Sequence, residues 1–486
     1  MPCWINYKAR RSPHPAAHSS PLPHPLHKLI MAYQSTNPYT GKVEKTFDDI
    51  TPAQLEDKLQ RADHCFKTDW RHRSFADRTV ILKRAAALMR ERAQPLAELI
   101  TLEMGKLIAQ SLGEVALSAA ILDYYADHAE QFLAPEKLTT PKGEATVESS
   151  PIGVLFGVEP WNYPYYQIAR FAAPNLMAGN VVMVKQASSV PQCALAFEKL
   201  LHDAGAPTGA YTNLFASKDQ VAQVIEDPRI RAVALTGSEA AGAIVATQAG
   251  KHLKTTTLEL GGSDAFIVLG DADLEKTVKH AVSGRMGNAG QACTASKRFI
   301  VVDALADSFL DKFQAALGQF VPGDPMDKAT TLAPLSSAQA LENLLKQVDG
   351  AVSHGARVVM GGKRIDGLAG NFMQPTILCD VSPSNPAYKE EFFGPVAMFF
   401  RVKDEDAAIA LANDSPFGLG GSVFTQDIER GKRVARQIDT GMVFINSGAA
   451  SSPELPFGGV KNSGYGRELS GAGIQEFVNK KLIRVS

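Results

Sequence analysis

Pro151-Ile152-Gly153-Val154-Leu155-Phe156-Gly157-Val158, running into Glu159-Pro160-Trp161-Asn162-Tyr163-Pro164, is the stretch on which the reading of the fold turns. The apolar run Ile152–Val158 ends in a polar segment bracketed by prolines. The same texture returns at Val181–Val184 and Ala232–Leu235, with helix-length spacers between. Short apolar strands alternating with helices mean a parallel, doubly wound sheet, because such strands are buried on both faces and each parallel crossover needs a helix. Ligands of such a sheet lie at the carboxyl ends of its strands. Lys185 stands at one of these ends and Thr236-Gly237-Ser238 at another. Ser238 is placed to cap a helix whose positive N-terminus faces an anion such as a pyrophosphate. Neither turn carries the pattern GxGxxG.

A second α/β unit begins after Gly262, with strands expected near Phe266–Leu269, Phe299–Val302, Val396–Val402 and Met442–Ile445. Helices are expected between them, among them Ala306–Phe320 and Ala338–His354. Upstream, residues 51–132 read as helical. Thr51 with Gln54, and Ser74 with Asp77, have the spacing of capping boxes. Val80, Leu82, Ala86, Leu88, Met89 and Ala93 make an apolar face that needs no explanation beyond core packing. Residues 139–150 alternate polar and apolar as a strand does, and Lys480–Val485 reads as an edge strand. Residues 1–30 are rich in proline and histidine without apolar period. They read as a disordered extension with no metal-ligand spacing, Met31 being a natural start.

The bulk properties exclude several classes. A chain of 486 residues exceeds one ordinary domain. Its 45% hydrophobic and 21% charged residues are those of a soluble globular protein. A net charge of -1 offers nothing to nucleic acid, and no apolar run reaches membrane-spanning length. The five cysteines, odd in number and irregular in spacing, form no disulfide framework. A reducing cytoplasm is the simplest compartment.

Three polar residues stand in unusual settings. Cys293 lies in Gly290-Gln291-Ala292-Cys293-Thr294, among small residues that let a ligand approach the sulfur. Taken alone it reads equally as a buried structural thiol. Glu259, in Leu258-Glu259-Leu260-Gly261-Gly262, is an acid in apolar company. It reads as a base with a raised pKa or as a strand-end cap. Asn162, between Pro160 and Pro164, offers an amide fixed in direction, as an oxyanion requires, or an ordinary Asx turn.

Together the three segments, with Glu390-Glu391-Phe392-Phe393-Gly394-Pro395 and Pro456-Phe457-Gly458-Gly459-Val460-Lys461-Asn462-Ser463-Gly464, resemble the NAD(P)-dependent aldehyde dehydrogenase superfamily, from about residue 33 to the C-terminus. The resemblance implies two doubly wound, Rossmann-like α/β domains and a small β oligomerisation arm. Residues 31–131 and 151–261 would form the dinucleotide-binding domain, 262–465 the catalytic domain, and 132–150 with 466–486 the arm, giving a homodimer or homotetramer. It implies Cys293 as nucleophile, Glu259 as the base that activates water, and Asn162 with the Cys293 N–H as oxyanion donors. It places Trp161, Asn162, Lys185, Ser188, Gly237, Ser238, Leu260, Glu391 and Phe393 around NAD or NADP.

Many NAD-preferring members carry a glutamate three residues after the lysine. Here that residue is Ser188, which brings no negative charge against a 2′-phosphate, so NADP is expected to be accepted. Arg170, eight residues after Asn162, matches the arginine of succinate-semialdehyde dehydrogenases. A guanidinium fork suits a carboxylate. Ser452 would add a hydrogen bond, with Tyr163 and Phe457 as apolar walls. A second arginine found in some of those enzymes is Gly287 here, and Arg285 is out of register. Oxidation of succinate semialdehyde, or of a similar short carboxylated aldehyde, is therefore expected. The alternatives are a broad-range dehydrogenase of uncharged aldehydes, acyl transfer to coenzyme A, and a non-catalytic relative.

Overall fold

The computed structural model describes residues 33–141 and 143–485. The reading of residues 1–30 lies outside them. A six-stranded sheet has the order Gly464–Tyr465, Thr255–Glu259, Ile230–Thr236, Val154–Glu159, Val181–Gln186, Tyr211–Asn213. All its neighbours are parallel except the first pair. The chain starts in the centre at Val154–Glu159, winds outward through Val181–Gln186 and Tyr211–Asn213, then returns to the other side at Ile230–Thr236. The central strand is thus the point where the winding reverses, and a crevice opens at its carboxyl end.

The seven-stranded second sheet runs Arg357–Met360, Thr376–Cys379, Val396–Val402, Ser296–Val302, Asp264–Val268, Gly421–Phe424, Phe444–Ile445. It is parallel save for its first pair. Three of these strands are absent from the sequence reading. Thr376–Cys379 is only four residues long, Gly421–Phe424 opens on glycine, and Arg357–Met360 is an exposed edge, so none shows a distinctive period. The expected helices appear as Asp303–Leu317 and Ala338–Ser353. A third, antiparallel sheet pairs the tail strand Val478–Val485 with Glu144–Pro151, which in turn pairs Glu136–Leu138.

The predicted capping boxes are present. Thr51 caps Pro52–Thr68 with Gln54, and Ser74 caps Phe75–Glu91 with Asp77. The helical run breaks at Gly105, whose φ of 78° ends Ala93–Met104 before Ile108–Phe132 begins. The helix Pro164–Ala178 packs on the long Ile108–Phe132 helix, and every one of its residues is buried. Whatever this helix carries is therefore held rigidly.

Asn180 ties the amino end of the central strand to the tail. Its Oδ1 accepts from Ile152 N at 2.8 Å and Gly153 N at 3.1 Å, and its Nδ2 donates to Phe477 O at 2.9 Å. Asn180→Ala leaves these buried backbone groups unpaired and is expected to cost about 1–3 kcal/mol. Urea denaturation measures it, and a change within about 0.5 kcal/mol, the range of ordinary surface substitutions, would refute the tie.

Candidate active site

Four strand ends set the floor of the site. Gln186 pairs beside Glu159, Leu235 beside Val158, and Thr236 beside Glu259, so Gln186, Glu159, Thr236 and Glu259 stand in a row at the carboxyl edge of the first sheet. The segment before Ser296–Val302 brings Cys293 to this edge from the second sheet. A cavity of about 270 Å³ fills the seam, lined by Trp161, Asn162, Gln167, Thr236, Gly237, Ser238, Glu259, Leu260, Cys293, Glu391 and Phe393 among others. A larger hollow of about 600 Å³ around Asp49, Lys58, Tyr211 and Asn213 is lined by no thiol.

The cysteine loop is a strained turn. Asn288, Ala289 and Gly290 all have positive φ, at 53°, 51° and 77°. For the first two this is a costly region, and surrounding bonds must hold it. Arg285, fully buried, donates to Gly290 O at 2.6 Å and Val396 O at 3.3 Å. Asn288 Nδ2 donates to Asn162 O at 3.0 Å and Gln291 O at 3.1 Å. At Gly290 a Cβ would lie 2.3 Å from the Gly394 carbonyl oxygen, so a side chain does not fit. Arg285 is spent on this turn and does not face a substrate.

Asn162 Nδ2 donates to Gln291 O at 3.1 Å, and Oδ1 accepts from Gln167 Nε2 at 2.9 Å. The second bond fixes which end of the amide is NH2 and leaves one of its hydrogens for the cavity. Gln167 and Asn288 were not singled out from sequence. Gln167 is one turn along the helix from Pro164, and its spacing from Asn162 is the signal that would have found it.

Glu259 is buried, and neither carboxyl oxygen has a hydrogen-bond partner. Burial holds its carboxyl well above the usual range, Glu468 reinforcing this and Arg170 opposing it. Gly458 makes room for it, since a Cβ there would stand 2.7 Å from Glu259 Oε1. Burial also pushes the Cys293 thiol up, to about 11. Arg170 and Lys297 draw it down, while Glu391 and Asp264 push it further up. Burial thus disfavours the charged form of both groups.

The residues expected around a dinucleotide fall in two places. Trp161, Asn162, Gly237, Ser238, Leu260, Glu391 and Phe393 line the cavity. The rings of Trp161 and Phe393 meet edge to face at 5.8 Å. Ser238 caps Glu239–Lys251, its Oγ accepting from Ala241 N at 3.3 Å. Lys185, the last residue but one of Val181–Gln186, and Ser188, just past its end, are not among the residues lining the cavity. There the Lys185 ammonium stands 5.5 Å from the Tyr33 ring centre. Burial lowers the Lys185 pKa, Asp49 opposes this, and Lys218 adds to it. A helix N-terminus, aromatic walls, an acid at Glu391 and a lysine further along fit a dinucleotide laid across the strand ends. Among the described residues no group of three or more His, Cys, Asp or Glu is placed to hold a metal ion.

On the substrate side Arg170 is only 1% exposed. It pairs through Nε with Glu468, and donates to the Tyr166 hydroxyl at 3.3 Å and Thr236 Oγ1 at 3.2 Å. Its guanidinium lies 4.4 Å from the Phe457 ring centre. Burial works against this charge, and Glu468, Tyr166, Glu259 and Cys293 together outweigh burial. The two adjacent serines bond differently. Ser451 Oγ accepts from the Tyr166 hydroxyl at 2.8 Å, whereas Ser452 bonds Glu454. Tyr163 packs edge to face on Tyr166 at 6.0 Å.

The model of the aldehyde dehydrogenase family matches residues 28–483. The chain is 54% identical over 452 residues to the succinate-semialdehyde dehydrogenase (NADP+) of Deinococcus radiodurans, covering 93% of this chain and 94% of that protein. It is 44% identical over 459 residues to succinate-semialdehyde dehydrogenase (NADP+) 1 of Mycobacterium tuberculosis, covering 94% and 100%. The crystal structure of succinic semialdehyde dehydrogenase from Streptococcus pyogenes, in complex with NADP+, superposes with a TM-score of 0.92 at 50% identity, covering 93% and 100%. A chain matched over this length, with its thiol, carboxyl and amide in one cavity, belongs to the aldehyde dehydrogenase family.

Proposed function

We propose that this enzyme oxidises succinate semialdehyde, or a similar short carboxylated aldehyde, to the acid with NADP, and that NAD is the weaker acceptor. The observation that carries the reading is the convergence of Cys293, Glu259 and Asn162 on the cavity that Trp161, Ser238, Glu391 and Phe393 complete. The names of the relatives support the substrate and the cofactor.

The Cys293 thiolate, its proton released to solvent, adds through sulfur to the aldehyde carbon as the C=O bond opens to an oxyanion, giving an ionised thiohemiacetal. Asn162 Nδ2 and the Cys293 N–H receive the oxygen, each such donor being worth about 3–4 kcal/mol at the transition state. A bound oxidised nicotinamide supplies the hydride acceptor. The carbon, oxidised by two electrons, is left as a thioester. Glu259 takes a proton from water, whose oxygen adds to the thioester carbon, and the acid leaves as the C–S bond breaks. Trp161 and Phe393 would wall the cofactor, Gly237 and Leu260 would leave it space, Ser238 would present a helix N-terminus, Glu391 would accept from ribose, and Lys185 with Ser188 would meet the adenosine end.

Arg170 enters this reading through its neighbours. Three of its five N–H donors are engaged, and its charge reaches the tunnel through the Tyr166 hydroxyl and Ser451. Tyr163 and Phe457 would form the apolar walls, and Ser452 would add a hydrogen bond to the substrate. The engagement of Arg170 by Glu468 also favours a second reading, a dehydrogenase of uncharged aldehydes. The first sheet with residues 31–131 and 151–261 would bind the dinucleotide, and 262–465 would carry the nucleophile. The tail strand Val478–Val485 leaves Leu482, Ile483 and Val485 exposed on an edge, which suits assembly into a homodimer or homotetramer. No helix among the described residues is long and apolar enough to cross a membrane. A reducing cytoplasm would keep the thiol intact.

Tyr166→Phe leaves the Arg170–Glu468 pair in place and separates the two readings. The wild type is expected to prefer succinate semialdehyde over butanal by about tenfold or more in kcat/KM, on the order of 1.4 kcal/mol. The variant should shrink that preference by about tenfold, the worth of a hydrogen bond to a charged group. Equal rates for the two aldehydes in the wild type would establish the uncharged-aldehyde reading instead. Cofactor titrations test Ser188 separately. Ser188→Glu is expected to weaken NADP binding while sparing NAD, and full NADP affinity in that variant would sink the charge argument.

The raised thiol pKa has a defined sign. Below about 11 the thiolate fraction of Cys293 grows close to tenfold per pH unit. Alkylation by iodoacetamide in the absence of cofactor should therefore climb without plateau from pH 7 to pH 9.5. A plateau near pH 8 would show a thiol of ordinary acidity.

A further inference from the structure

Lys297 lies four residues past the nucleophile, within Ser296–Val302, and its side chain is wholly buried. An ammonium has three hydrogens to donate. All three have acceptors here: Ala292 O at 2.9 Å, Cys293 O at 2.7 Å, and Glu391 Oε1 at 2.8 Å. Two of these acceptors belong to the backbone of the strained cysteine turn. The third belongs to an acid whose backbone lies more than ninety residues away.

Glu391 is divided in the same way. Its Oε1 also accepts from Gly262 N at 3.2 Å, while its Oε2 approaches Gly261 at the cavity wall. A buried ammonium with three short contacts is fixed in position. A lysine needed only to fill space would be replaced at lower cost by an apolar side chain, since a buried charge pays a desolvation penalty that its partner repays only in good geometry.

We propose that Lys297 is a positioning residue: it locks the Cys293 backbone and the Glu391 carboxylate into one unit and sets the charge balance against which the Cys293 thiolate forms. This rests on the reading of Cys293 as nucleophile. The unit carries one positive and one negative charge, so its two halves act on the sulfur with opposite sign. Lys297 favours the thiolate and Glu391 disfavours it. The other groups facing the sulfur are Arg170 from the buried helix, already paired with Glu468, and Asp264 from the neighbouring strand. The Tyr163 and Tyr166 phenols and the Glu259 carboxyl complete the surroundings, and burial disfavours the charged form of all three.

The test is the rate of iodoacetamide labelling of the Cys293 peptide, read by mass spectrometry at pH 8 on the cofactor-free enzyme. Wild type is compared with Lys297→Met, Lys297→Arg, Glu391→Gln and the Lys297→Met/Glu391→Gln double variant. Lys297→Met is expected to label at least tenfold more slowly. Glu391→Gln should label several-fold faster, and the double variant should lie between the two. Lys297→Arg, which keeps the charge, should stay within threefold of wild type.

A merely structural lysine would not give single variants of opposite sign. The proposal is overturned if Lys297→Met and Glu391→Gln shift the rate in the same direction, or if both stay within twofold of wild type. Should Lys297→Met fail to fold, a Glu391→Gln rate at or below wild type overturns it alone. Cys293→Ser is assayed alongside for dehydrogenase activity. Activity retained there defeats the nucleophile reading whatever the labelling rates show.

Discussion

One buried guanidinium has to serve three buried carboxyls. Arg170 reaches Glu468 directly, while Glu159 and Glu259 have no hydrogen-bond partner on either oxygen. An isolated carboxylate out of water is far too costly to keep, and such a group takes a proton instead. Burial accordingly raises Glu159 and Glu259, and Glu468 raises both further. Arg170 is therefore committed to Glu468, and the base and the thiol stand in surroundings that disfavour their charged forms. Charge on either group during turnover has to be met by the pocket. The pocket supplies fixed donors at Asn162 and the Cys293 backbone for the moment when it does.

Precision at the oxygen-binding position traces to one helix end. Glu114 Oε1 accepts from Tyr165 N at 2.9 Å and Tyr166 N at 3.3 Å, which satisfies the first turn of Pro164–Ala178 from outside the helix. Lys106 pairs with Glu114, and its ammonium stands 3.7 Å from the Tyr163 ring centre. Asn162 precedes this anchored end, and Tyr166, Gln167 and Arg170 project from the turns after it. A single rigid body thus sets the amide for the oxygen, the residue that orients that amide, and the charge behind the tunnel.

The parallel, doubly wound character of the first sheet was legible because three of its strands are buried and read as apolar runs. The capping boxes were legible because a cap is written within four residues. Cys293, Glu259 and Asn162 stood out because each sits in a setting its side chain does not favour. The partners of these residues were not legible, and the reason is distance along the chain. Nothing near Arg170 announces Glu468, and nothing near Cys293 announces Glu391. The bond from Tyr166 to Ser451 was hidden for another cause: Ser451 and Ser452 are adjacent in a loop without period, so spacing cannot say which of two neighbours meets Tyr166.

The cofactor argument shows the same limit from the other side. Counting charge near Lys185 in sequence found only Ser188, and so no anion to oppose a 2′-phosphate. The fold adds Asp49 beside Lys185; burial raises its carboxyl pKa, and Lys185 opposes this. An anion there would weaken the argument if it stood alone. The fold also adds Lys218, at the first position of Lys218–Glu226 behind the capping serine Ser217. Tyr33 holds this arrangement together. Its hydroxyl donates to Ala216 O at 2.9 Å, and its ring lies under the Lys185 ammonium. Lys185, Lys218 and a helix N-terminus stand against Asp49 and its neighbour Asp48, so the charge that meets a 2′-phosphate is set by three distant segments of the chain and not by Ser188 alone.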